Sequence, residues 1–265
     1  MAKYEEIIAN QEALTEAVDQ SVLALDLVKS AIERSGTDVA DGTPVSEYGG
    51  MIDGIADAKN RAWWDVVTAN NTKTGYTYGF AYMDFSHVGG FNPPYKITAK
   101  GYSTNMFEKV TGIDKITAEQ LDVSQCTSLQ YMFNCAGISE IELIDTRGAT
   151  NLSAMLNENS ATHTVGKIIL KSDGSQTISN SSFYSAYGLK NITFEGVIGQ
   201  NIWFNYCGGL TKASIISIVN ALSSTTSGKT LTLSNKAVTN AFGSTTAAEW
   251  TALVGTKTNW TISLV

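Results

Sequence analysis

The sequence predicts an α+β chain: an N-terminal α-helical coiled coil, a small β-rich bridge, then a solenoid of short stacked coils closed by an α/β C-terminal cap. Three observations predict it. The first thirty-odd residues carry a heptad pattern. A bulky-pair-plus-glycine motif returns about every 24 residues through the second half. The last forty residues abandon that motif for helices and strands. We divide the chain into 1–35 (coiled coil), 36–60 (helical adaptor), 61–100 (aromatic β-rich bridge), 101–222 (repeat solenoid) and 223–265 (cap). At 265 residues the chain is long enough to bury a large core without disulfides or metal.

With Tyr4 at heptad position a, the a set is Tyr4, Gln11, Val18, Leu25 and Ile32, and the d set is Ile7, Leu14, Ser21 and Val28. Seven of these nine are apolar, and Gly and Pro are absent until Gly36, which predicts a helix with an oligomerising seam. Ile8 and Val22 at e and Ala17, Ala24 and Ala31 at g widen the apolar stripe beyond a two-stranded seam. A homo-oligomer of three or more strands, with a trimer favoured, buries that width better. The alternative is one amphipathic helix packed on its own domain. Thr43-Pro44 then opens a second helix, with Thr as N-cap and Pro at the first helical position. Its apolar face is Val45, Tyr48, Met51, Ile52 and Ile55.

From Ala62 to Ile97 aromatic residues crowd together, and Gly75–Phe85 (GYTYGFAYMDF) alternates with the period of two that a strand requires. An aromatic platform for sugar rings and a small β core capping the next domain both fit this composition; we favour the latter.

The repeat appears as MFEKVTGIDKI (from Met106), MFNCAGISEIEL (from Met132), FYSAYGLKNITF (from Phe183) and WFNYCGGLTKASI (from Trp203), with a degenerate copy at Met155. Anchored five residues before the glycine, the bulky positions are Phe107, Met132, Phe183 and Phe204; with Met155 placed by similarity alone, the steps are 25, 23, 28 and 21 residues. Such a period belongs to leucine-rich-type solenoids. One coil cannot enclose its own apolar side chains, but coils stacked at about 4.8 Å turn each apolar position into a buried file. The expected strand file is Ile141, Ile168, Ile192, Leu231 and Ile262. The expected glycine file is Gly112, Gly137, Gly188 and Gly209, at tight turns. Val110, Cys135, Ala186 and Cys207 would form a file of small buried groups, with Glu158 in the same slot of the degenerate copy. The segment between Asn159 and Gly166 should bulge out. Thr211–Leu222, Lys236–Phe242 and Thr246–Val254 read as helices, Lys229–Ser234 and Asn259–Val265 as strands, together covering the open end of the stack.

Chemistry has few candidates. Three cysteines without a C-x-x-C pair argue against disulfides and zinc. No phosphate-binding G-x-x-x-x-G-K-[ST], no G-x-S-x-G and no H-E-x-x-H is present. His163 and His87 read as solvated loop residues, and Glu140 and Glu142 as strand carboxylates on one face. We expect no enzyme and no cofactor. A net charge of −7 argues against nucleic acid as partner. No apolar run approaches a membrane span, and Met1–Glu6 has no basic-then-apolar stretch of a secretion signal. Tyr and Asn supply adaptable contacts, so Tyr184, Tyr187, Asn205 and Tyr206 are the candidate receptor-binding residues.

The MF-plus-G-[IL] repeat resembles the BspA-like leucine-rich-repeat proteins of bacterial surfaces and bacteriophages. The ending LTKASIISIVNAL…SGKTLTLSNKAV…EWTALVGTKTNWTISLV resembles the ends of leucine-rich-repeat structural proteins in phages and prophages of Firmicutes. The adaptor AIERSGTDVADGTPVSEYGGMIDGI is similar to N-terminal segments of phage tail appendages. The resemblance covers about residues 25–58 and 100–265. It implies a protein on the exterior of a virion, attached to other virion proteins through its N-terminus and offering the solenoid to a host-surface glycan or protein, as a tail fibre or baseplate appendage. A capsid head fibre or decoration protein and a bacterial surface adhesin are the alternatives. The family carries no catalytic residues to transfer.

Overall fold

The computed structural model describes residues 16–18, 21–22, 24–33, 37–40, 43–68, 75–179 and 181–265. The chain divides into two compact units, Met1–Trp64 and Asp65–Val265.

In the first unit residues 24–33 are helical. Of the proposed seam, Tyr4, Ile7, Gln11 and Leu14 lie outside the described residues. Val18 and Val28 are exposed, Leu25 is half-buried, and Ile32 is buried. After a 3-10 turn at Val45–Glu47, helix α1 spans Tyr48–Thr68. It overruns the expected adaptor boundary and takes in Trp63 and Trp64, which pack edge to face at 4.8 Å. The Thr43 hydroxyl turns back to Ala40 O (2.7 Å) instead of capping forward, because the chain enters through the 3-10 turn that Glu47 N–H closes onto Pro44 O.

The second unit is a β-solenoid of about five turns. Strands β1 (Ile97–Tyr102) and β3 (Leu121–Ser128) pair in parallel, and single bridges from Ser128 to Asn151 to Thr177 carry that face onward. The second face is the parallel sheet β2 (Ile113–Ile116), β4 (Ile138–Asp145), β5 (Thr164–Ile169) and β6 (Asn191–Glu195). Each coil donates one strand to it, which is why all pairs are parallel. Burial along these strands recurs every third residue: Ile138, Ile141 and Ile144 in β4, Val165 and Ile168 in β5. The files are therefore Ile116–Ile141–Val165–Ile192 and Ile144–Ile168–Phe194. The expected file mixed these two, since Ile168 stands beside Ile144. Leu231 and Ile262 belong to a different sheet.

Between the faces each coil turns through an arc, and the arc explains the repeat motif. Residues four apart adopt left-handed φ in successive coils: Tyr78 and Tyr82, Asn105 and Lys109, Tyr131 and Cys135, Ala154 and Glu158, then Ser185. Side chains other than glycine pay roughly 1–2 kcal/mol for this conformation. The backbone repays it with alternating hydrogen bonds. Met132, Asn134 and Ala136 N–H donate within the coil, to Leu129, Tyr131 and Phe133 O, while Tyr131, Phe133 and Cys135 N–H donate to Ser153, Met155 and Asn157 O of the next coil. The two residues between the left-handed positions that face inward are the M-F pair. Phe80, Phe107 and Phe133 stack at 5.2 and 5.4 Å, and Phe183 stacks on Phe204 at 4.8 Å, close to one inter-coil step.

Five expectations change on this geometry. Gly75–Phe85 is no strand but the first arc: Phe80 N–H donates to Met106 O as Phe107 N–H does to Met132 O. The solenoid therefore begins near residue 75, and the separate bridge dissolves into it. The aromatic file runs Phe80–Phe107–Phe133–Leu156–Phe183–Phe204, whereas Met132 and Met155 sit in the adjoining file with Met106. The small buried file is correspondingly Val110, Ala136, Asn159, Ala186 and Cys207, all buried, while Cys135 is half-exposed and lies beside Glu158 (3.6 Å). The 159–166 segment does not bulge. Asn159 Nδ2 donates to Phe133 O (3.1 Å), Thr162 Oγ1 to Ile138 O (2.7 Å) and His163 N–H to Ser139 O (2.9 Å). Among the glycines, only Gly112 of the expected file needs positive φ (75°). At Gly188 the constraint is proximity, since a Cβ would overlap Ser160 O of the coil before.

The cap replaces strand with helix. Helix α2 (Lys212–Ala221) starts at Thr211, whose hydroxyl accepts from Ser214 N–H, and buries Ile215, Ile218 and Val219. It lies against β6, where Ser214 Oγ accepts from Ile192 N–H (3.0 Å) and Ser217 Oγ from Phe194 N–H (2.9 Å). Parallel strands β7 (Ile202–Phe204), β8 (Lys229–Leu233) and β9 (Trp260–Leu264) form a third sheet, with helices α3 (Asn235–Phe242) and α4 (Ala248–Gly255) between β8 and β9. Apart from β7, which was not expected as a strand, these elements match the expected ones to within two residues.

Candidate functional site

The outer side of the arc is where side chains are free of the core, and its two halves differ. After Phe107, Phe133 and Leu156 the next residue is polar and bonded along the stack. Buried Glu108 accepts from Asn105 Nδ2 (2.7 Å) and Asn134 Nδ2 (3.4 Å), and Asn157 Nδ2 donates to Asn134 Oδ1 (3.2 Å). Lys109 Nζ stands over the Tyr82 ring at 5.3 Å. These groups occupy one another.

In the last coils Tyr184 holds that position, Trp203 replaces the methionine before the phenylalanine, and Tyr206 follows Asn205. Tyr184 lies 5.1 Å from Tyr206, nearly perpendicular, and 6.3 Å from Trp203 at 52°; Tyr206 lies 5.5 Å from Tyr187. Tyr187 and Tyr206 are exposed. A hydrogen bond between the two hydroxyls holds the Tyr184 phenol above its ordinary range. Beside them, Ser179, Ser181, Tyr184 and Trp203 line an open groove of about 380 Å³, and the two serine hydroxyls are bonded to each other at 2.8 Å.

Three of the four expected contact residues, Tyr184, Tyr187 and Tyr206, thus come together in one cluster. Asn205 is half-buried, and its Oδ1 is enclosed without a hydrogen-bond partner among the described residues. Trp203 was missed. In the motif it stands where Met106, Met132 and Met155 are buried, so the W-F pair reads as core. Its size is the available signal: a tryptophan following buried Ser182 in that file cannot be accommodated as methionine is.

No protein-family model matches this chain, no curated protein is similar to it in sequence, and no solved structure matches it. The remaining chemistry is engaged in structure. Glu140 pairs with Lys115 (2.8 Å), and Glu142 accepts from Ala118 N–H (3.3 Å). His163 is exposed, with its carbonyl receiving Lys190 and Asn191 N–H; His87 lies in the 3-10 turn Ser86–Val88. Burial pushes the Cys207 thiol up to about 12 and, against a hydrogen bond with Ser103, the Cys126 thiol to about 11; neither is a nucleophile at neutral pH. Among the described residues no three His, Cys, Asp or Glu side chains converge on a metal-sized site, and no helix is long and apolar enough to cross a membrane.

Proposed function

We propose that the chain is an oligomeric appendage of a phage particle, of tail-fibre or baseplate type, that displays its solenoid for binding to a host surface. The observation that carries the binding half is the ring cluster Tyr184, Tyr187, Trp203 and Tyr206, held on a backbone whose hydrogen bonds run from coil to coil. Rigid aromatic anchors of this kind give contact area at little entropic cost. The virion half rests on the resemblance of the repeat, adaptor and ending to leucine-rich-repeat phage proteins. Trimerisation rests on the wide heptad stripe, on which Val18 and Val28 are exposed within the single chain. Three copies would let weak sites act together, with avidity gains of about 10²–10⁴.

The experiment is light scattering followed by cell binding. The purified chain is expected at three times 28.4 kDa and should coat cells within a panel of Firmicutes. A monomer removes the trimer, and absence of binding to every member removes the host-binding role.

A further inference from the structure

We propose that the groove formed by Ser179, Ser181, Tyr184 and Trp203 is a binding site for one segment of a neutral polysaccharide, the pyranose faces lying on the rings and the hydroxyls reaching the serines. This rests on the host-binding reading and names its ligand class. At about 380 Å³ the groove lies at the small end of the roughly 300–1,000 Å³ of small-molecule sites. Its two walls are rings opened to 52° with centroids 6.3 Å apart, a wedge rather than a closed stack. Its rim is the Ser179–Ser181 hydroxyl pair, and the Tyr184 ring packs edge to face on Tyr206 at 5.1 Å. An apolar ring face beside hydroxyls is what a pyranose presents in mirror: C–H groups on one face, hydroxyls around its edge.

Two features argue against a peptide as the occupant. The backbone around the groove is already spent between and within coils: Leu156 N–H on Ser182 O, Glu158 N–H on Tyr184 O and Tyr184 N–H on Ser181 O. An extended peptide would find no main-chain ladder to join. Among the described residues no charged side chain lines the groove, so neither an acidic nor a basic segment would be selected, and an anionic polymer finds no cation there.

The test uses the full chain with cellohexaose, chitohexaose, mannohexaose and galactohexaose as probes, followed by titration calorimetry. At least one should bind. Trp203→Ala and Tyr184→Ala should each weaken it by about tenfold or more, the order expected for one lost ring contact. Trp203→Phe should recover most of the affinity. Ser181→Tyr, which fills the groove without removing a ring, should abolish binding, and Tyr131→Ala, on the arc but in an earlier coil, should leave it unchanged. Failure of all four probes at millimolar concentration, or binding indifferent to both Ser181→Tyr and Trp203→Ala, overturns the proposal. Cells separate it from the broader reading. Binding lost on periodate treatment of the cells and by Trp203→Ala supports both. Binding lost on protease treatment and kept after periodate leaves host binding standing and overturns the saccharide. Saccharide binding without binding to any cell upholds the groove and removes the host role.

Discussion

Two stretches of the same arc, residues 105–157 and 184–206, share a backbone and differ in what they do with it. Both put phenylalanine inward. In the first, the outward side chains bond to one another along the stack, Asn105 and Asn134 on Glu108 and Asn157 on Asn134. In the second, Tyr184, Trp203 and Tyr206 pack ring against ring and leave a groove. The arc can therefore hold its coils together or present a surface, depending on whether its outward side chains satisfy one another or leave a face bare.

The strongest way to break this comparison is to remove what the halves share. Phe133→Ala and Phe183→Ala should each cost about 3–5 kcal/mol, read as the midpoint of denaturant unfolding. A loss at one site and not the other would deny the common core. Next, Asn134→Ala should cost about 1 kcal/mol, because it removes one of the two amide donors to buried Glu108 and the acceptor of Asn157 Nδ2. It should leave cell binding intact, whereas Trp203→Ala should do the reverse. Equal effects on both readouts would erase the distinction. A smaller effect concerns thiols: with a disulfide reagent at pH 8, Cys135 alone should react in the folded protein. Burial and then the Glu158 charge raise the Cys135 thiol, so Glu158→Gln should speed that reaction. Cys126 and Cys207 should react only on unfolding. The smallest lies off the arc. The Arg147 guanidinium bonds the Asp145 carboxylate (2.6 Å) and holds it below the usual carboxylate range. A depressed carboxylate contributes stability that is present above its unfolded pKa of about 3.9 and is lost as pH falls through the lower native value. The melting difference between the native chain and Arg147→Ala should accordingly be seen at about pH 6–7 and shrink as the pH falls below about 3.9.

The repeat, its period and the whole cap were legible because a solenoid writes one structural unit several times into the sequence. The register was not. Thr111 adds a residue between Lys109 and Gly112 that has no counterpart between Cys135 and Gly137, so counting back from glycine lands on Phe107 in one coil and on Met132, one file over, in the next. The same slip put Cys135 in the core in place of Ala136. The first arc was read as a strand because left-handed turns bury side chains at short, uneven intervals, Tyr76, Phe80 and Phe85, which in an aromatic-rich stretch mimic alternation. Nothing in sequence announces positive φ at Tyr78 or Tyr131; the neighbouring coil imposes it. The tyrosines of the candidate site could be picked by residue type, but their meeting with Trp203 depends on how adjacent coils align, which is a property of the fold.

The serines of α2 have a further bearing. A parallel sheet that ends in bare backbone is a template on which another molecule can continue, and a stack of identical coils invites such growth. Here the amides of Ile192 and Phe194 are answered by hydroxyls on a helix, whose outward surface offers no matching row. At that sheet a further strand would find the amides of Ile192 and Phe194 already taken, so addition of another copy is disfavoured on this face.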